Sequence, residues 1–280
     1  MLKDSTLIYK YHSKKCDSTI IYFPGDIQDD DKNMTLFSGL YRYHKFSYQN
    51  TITLLHHKFP NSNILLIAPG QKNGPFSLYN NLFDCDDHGY IKDYNRNGNS
   101  CQIIHKLLSV TQDPDEFQLP YILMGFSRGT LVLNQLLTEI GYSRESMAFF
   151  ENVYSIHYLD GGNRIPNYPE FKMDEINLKA LKIISDINDL RVYFHCTPFF
   201  QGYSNIDDVS SHYPTFASST EILDYVIRNR KERLNFIGQL NYYGIRTETF
   251  FYEQEYDHVS GDDLYKHMSV LDYFNELASF

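Results

Sequence analysis

The feature that most constrains this chain is an alternation, sustained from residue 18 onward, between short apolar, β-branched or aromatic runs and stretches with helical spacing. βαβ units produce this pattern, because parallel neighbours must be joined by a crossover that returns to the start of the sheet. STIIYFPGD (18–26), SNILLIAPG (62–70), LPYILMGF (119–126), NVYSIHYLDGG (152–162), LRVYFHCTPFF (190–200) and IRTETFFYE (245–253) read as strands, with a weaker one in TLIYKY. The unbroken apolar run of SNILLIAPG predicts burial on both faces. Helical spacing predicts helices over 50–59, 100–110, 128–140, 174–187, 219–242 and 262–277. The expected fold is α/β, with a mostly parallel central sheet of about seven or eight strands flanked by helices. With no repeat, low-complexity tract or linker, residues 1–280 read as one domain. The aperiodic stretch 71–99, rich in Asn, Gly and Asp, is a candidate lid or insertion loop.

Composition narrows the function classes. The 280 residues are enough to bury a sizeable core without a staple. A formal charge of −10 repels phosphate and argues against a nucleic-acid partner. No run of eighteen apolar residues occurs, so the chain is not expected to span a membrane. Cys16, Cys85, Cys101 and Cys196 are scattered and never form C-x-x-C, which fits a reducing compartment. The opening residues carry no secretory or transit signal, so an intracellular, cytoplasmic setting is the expectation. DCDDHG (84–89) lacks metal-ligand spacing and reads as a solvated acidic loop, so neither a metal nor another cofactor is expected. Aromatic residues are abundant, with 24 Tyr and 20 Phe and no Trp. Several fall in 76–94 and 199–213, which suggests an apolar acyl pocket under a mobile lid.

The sharpest local signal is GFSRG (125–129), a G-x-S-x-G match placed between an apolar strand and an amphipathic helix. That context is the one a nucleophile elbow requires, with glycines where neighbouring chain passes close and Ser127 pushed out at the strand's carboxyl end. The plainer account is a strand end that merely caps a helix. An activated serine needs a base and an orienting acid, in the chain order Ser, Asp, His for this fold. Asp160 ends the next strand, and Asp207 and Asp208 lie in the loop after the following one. His258 and His267 both follow the last strand, and spacing alone slightly favours His258. The oxyanion donors would be the backbone N–H of Arg128 and one from Gly25 or Asp26.

Set in order, FPGD, the F-P-N-S step at 59–62, GFSRG, VLNQLL (132–137), LDGG (159–162), Thr197-Pro198 and the final H-M-S-V make the chain resemble the family named for open reading frame 69 on human chromosome 2. The resemblance implies an α/β-hydrolase-like fold with no settled substrate, and a mitochondrial setting as the alternative to a cytoplasmic one. It also favours His267 over His258, because Leu264, His267, Met268 and Val270 fit the family's terminal motif. The resulting expectation is a serine hydrolase that uses Ser127, Asp160 and His267 on a small-molecule ester, thioester or amide. The alternative is a non-catalytic hydrolase-fold protein that binds a partner or ligand; an acyl transferase would use the same groups.

Overall fold

A computed structural model describes residues 7–36, 39–113, 115–161, 168–197, 219–252 and 263–274. Seven strands form one sheet: β1 (Ile8–Tyr11), β2 (Ser18–Phe23), β3 (Ser62–Ile67), β6 (Tyr121–Phe126), β7 (Val153–Leu159), β8 (Arg191–Cys196) and β9 (Arg246–Phe251). Their order is β1-β3-β2-β6-β7-β8-β9; only β1 runs antiparallel to its neighbour. With its helices this sheet has an α/β-hydrolase-like architecture.

The central strands β2, β3 and β6 are buried throughout because helices cover both faces. Ile21 and Phe23 of β2 join the cluster that also holds Leu133, Leu136 and Leu137 of α4 (Thr130–Glu139) and Leu181 of α6 (Glu175–Asn188). Ile20 and Tyr22 point the other way, into a second cluster with Ile52 and Leu55 of α2 (Tyr48–Lys58) and Leu271 of α9 (Val270–Tyr273). Such period-two partition is what a pleated strand imposes.

Helix ends are set by particular side chains. Asp174 caps α6 in a reciprocal box with Asn177. The N-terminus of α3 (Ser100–Thr111) rests on Glu139, whose carboxylate accepts the N–H groups of Ser100 at 3.0 Å and Cys101 at 2.9 Å. A buried carboxylate on α4 is thus satisfied by orphan helix donors.

Several short elements lack a sequence period long enough to read. They include α1 (Asp31–Leu36), the 3₁₀ turn Tyr41–Phe46 and α5 (Arg144–Phe150). The stretch 71–99 opens with a hairpin, β4 (Gln71–Asn73) and β5 (Phe76–Leu78), and then sinks Tyr79, Leu82, Phe83 and Ile91 into the core. The long helix α7 (Ser219–Tyr242) matches its expected bounds. The expected helix 262–277 is instead broken at Ser269 into α8 (Asp263–Met268) and α9.

Candidate active site

Strand order places the site. From β2 the chain steps outward to β3 and then crosses back to β6 on the other side of β2, so the switch point lies between β2 and β6. Open α/β sheets hold ligands in the crevice at the carboxyl ends of the strands flanking such a point. Here those ends carry Pro24-Gly25-Asp26 and Ser127-Arg128-Gly129.

Ser127 adopts a left-handed backbone with φ +48°, while Phe126 before it is still extended. A non-glycine residue held there is strained, and surrounding contacts must enforce it. The enforcement is visible at the two glycines of GFSRG. A Cβ on Gly125 would lie 2.8 Å from the Gly129 carbonyl oxygen, and one on Gly129 would lie 2.0 Å from that of Phe23. The elbow therefore packs directly on the end of β2.

Asp160 follows β7 and is fully buried, also with a left-handed φ of +46°. Its Oδ1 accepts the Thr197 N–H at 2.8 Å, and its Oδ2 accepts the Thr197 hydroxyl. The same Oδ2 lies 2.6 Å from His267 Nδ1. His267 is buried in the last turn of α8 and stacks on Phe126, with ring centroids 4.8 Å apart. A carboxylate on Nδ1 selects the tautomer with the proton there, which makes Nε2 the basic nitrogen. Asp160 and His267 are thus brought together, beside the residue that precedes Ser127. His258, Asp207 and Asp208 lie outside the described residues.

Gly25 needs its missing side chain, since a Cβ there would sit 2.8 Å from Ser127 Cβ. Its N–H donates to Gln28 Oε1 at 2.9 Å. The Ile27 N–H is likewise engaged, donating to the Pro75 carbonyl at 2.8 Å. Asp26, the other candidate donor, lies between them. Ile27 itself has φ +70°, a further outlier for a β-branched residue.

Sequence reasoning assigned only a backbone role to Arg128 and missed its side chain. That chain is 2% exposed, pairs with Asp26 and lies under the Tyr90 ring at 3.9 Å. The β4–β5 hairpin adds Lys72, whose ammonium donates to the Gln28 carbonyl at 2.9 Å and the Ser77 hydroxyl at 3.0 Å. Desolvation pulls the Lys72 pKa down to about 8, with Asp26 and Asp29 acting in the opposite sense.

Beyond the elbow, a cavity next to Thr130 and Gly161 is walled by Tyr94, Tyr158, Phe171 and Phe236, with Asn134 and Arg233 also on its lining. Tyr90 and Tyr94 come from one of the two aromatic-rich segments expected to border the serine; the other lies outside the described residues. Among the described residues no group of three His, Cys, Asp or Glu side chains could hold a metal ion. No helix among them is long and apolar enough to cross a membrane.

Sheet order, elbow and buried acid together define an α/β-hydrolase-like protein. The family model C2orf69 matches residues 2–118 and 105–209, and the chain belongs to that family. The human mitochondrial protein C2orf69 is 25% identical over 213 residues, covering 54% of this chain and 55% of the relative. Its homologue in Danio rerio is 30% identical over 165 residues, covering 51% and 48%. The chain thus spans about half the length of these curated relatives. Among solved structures, a Bacillus cereus carboxylesterase is similar with TM-score 0.45 and 8% identity over 90% of this chain and 87% of the other. Zea mays acyl-protein thioesterase 2 is similar with TM-score 0.39 and 14% identity over 88% and 89%.

Proposed function

We propose that the protein is a serine hydrolase acting on an ester, thioester or amide. The observation that carries this reading is the buried Asp160 carboxylate, which takes two donors from Thr197 and holds His267 Nδ1 at 2.6 Å beside a strained elbow. A carboxylate sealed from water is costly unless its charge is used, and fixing an imidazole tautomer is such a use.

In the proposed reaction Ser127 Oγ attacks the carbonyl carbon as its proton passes to His267 Nε2. The carbonyl π electrons move to oxygen, which is received by the N–H groups of Asp26 and Arg128. Collapse expels the alcohol, thiol or amine, which takes the proton from His267. Water then repeats the sequence on the acyl-serine, releasing a carboxylic acid and restoring Ser127. The aromatic cavity beside Thr130 would take the apolar part of a small acyl substrate. The names of the relatives support a mitochondrial setting, which imaging of a tagged full chain would test.

The experiment is turnover of a panel of p-nitrophenyl esters and acyl thioesters by wild type and Ser127→Ala. Turnover that disappears with Ser127→Ala supports the proposal. Absence of wild-type turnover across the panel, or equal turnover by both proteins, favours a non-catalytic binding role.

A further inference from the structure

Asp26 and Arg128 supply the two backbone donors of the proposed oxyanion site, and their side chains form one ion pair. Arg128 Nε and Nη2 lie 3.1 and 2.9 Å from Asp26 Oδ2, and Nε also approaches Oδ1 at 3.4 Å. Packing alone does not call for this pair. Arg128 is among the largest fully buried side chains, and its Nη1 has no hydrogen-bond partner among the described residues. Desolvating a guanidinium is costly, and an apolar side chain of similar volume is often as good or better for stability. What the contact adds is geometry, since two N–H groups of the rigid guanidinium converging on one carboxylate oxygen restrict both distance and angle between residues 102 positions apart.

The surroundings lock the same geometry. Asp26 Oδ1 accepts the Ser77 N–H at 2.8 Å, so the carboxylate is gripped from two sides. The Ser77 hydroxyl donates to the Gly25 carbonyl at 2.8 Å, and the Tyr79 hydroxyl to that of Pro24 at 2.7 Å. The Tyr90 ring packs on the guanidinium. The 24–28 turn is thus hung on the β4–β5 segment from one side and on the elbow from the other.

An oxyanion site assembled from two separate chain segments works only while its donors keep their spacing, about 2.7–3.1 Å from the oxyanion. We propose that the Asp26–Arg128 ion pair is a clamp that sets this spacing, making both side chains positioning residues. The inference rests on the hydrolase reading above and deepens it.

The test uses the full chain as wild type, Asp26→Asn, Arg128→Gln, the double variant and Arg128→Lys. Two quantities are read: the second-order rate of labelling by a fluorophosphonate, whose phosphoryl oxygen enters the oxyanion site, and amide hydrogen exchange in peptides spanning 24–28 and 127–129. Each single variant should label roughly tenfold to hundredfold more slowly while keeping its cooperative melt. The double variant should be no slower than the slower single, because the pair acts as a unit. Arg128→Lys keeps charge without the fork and should remain slow. Exchange should rise in both segments together. A variant that labels within about twofold of wild type, losses that multiply in the double variant, or unchanged exchange in both segments overturns the clamp. If wild type itself does not label, the hydrolase reading fails and exchange alone decides the clamp. If Asp26→Asn does not fold, Arg128→Lys carries both readouts.

Discussion

Asp160 Oδ2 and His267 Nδ1 lie 2.6 Å apart, although 107 positions separate them in sequence and both side chains are closed to solvent. The contact joins the end of β7 to α8 across the carboxyl edge of the sheet. Its consequences can be measured separately.

Replacing Asp160 by Asn keeps the side chain's shape but allows its amide to donate to Nδ1, which favours the wrong imidazole tautomer. Ester turnover or probe labelling should fall by as much as ~10⁴-fold while the fold is retained. Thr197→Val removes only the hydroxyl that donates to Oδ2 and should cost about tenfold or less, since the Thr197 N–H still holds Oδ1. Rates measured alongside circular dichroism check both.

The elbow glycines leave no room for a side chain. Gly129→Ala would drive a methyl to 2.0 Å from the Phe23 carbonyl oxygen, a backbone atom at the carboxyl end of a central strand. Destabilisation of about 3 kcal/mol or more is expected, read as a lost or strongly lowered thermal midpoint. Gly238, inside α7 with nothing within 4 Å of its would-be Cβ, is the control. Gly238→Ala should raise stability by about 0.5–1 kcal/mol.

A buried chain links Ser155, His157, His195 and Tyr252, with contacts of 3.1, 3.2 and 2.8 Å. Burial pushes the His157 pKa down to about 3 and that of His195 well below its ordinary value. Both imidazoles are therefore neutral in the folded state at neutral pH, whereas the unfolded chain takes up protons below about 6.5. Their contribution to stability is complete above about pH 6.5 and is lost as pH falls toward 3. Denaturant midpoints should drop steadily from pH 7 to pH 4.5. The His157 ring resonances should not titrate over that range, and a His157 titration near 6.5 would contradict this.

Much of the frame was legible in the sequence because strands buried on both faces read as unbroken apolar runs, while the long helices between them carry a clear period. GFSRG could be read as an elbow from the strand before it and the helix after it, and Asp160 from its place at the end of the next strand. The choice of His267 came from the family's terminal motif, since spacing alone leaned toward His258. The side-chain role of Arg128 was not legible, because charge gives no sign of burial until the β2 turn and the 71–99 segment close around it. Thr197 stood out only as part of a Thr-Pro step; its hold on Asp160 depends on β7 and β8 being neighbours. Three-residue strands such as β4 and β5 have too few positions to show a period.

The measurement that bears most directly on the central claim is intact-protein mass spectrometry after fluorophosphonate treatment, with the adduct mapped by proteolysis. A single adduct on Ser127, absent from Ser127→Ala and formed far more slowly in His267→Gln, is the predicted result. An unmodified wild-type chain, or an adduct that persists in Ser127→Ala, would contradict the proposal that Ser127 is a nucleophile activated by His267 and Asp160.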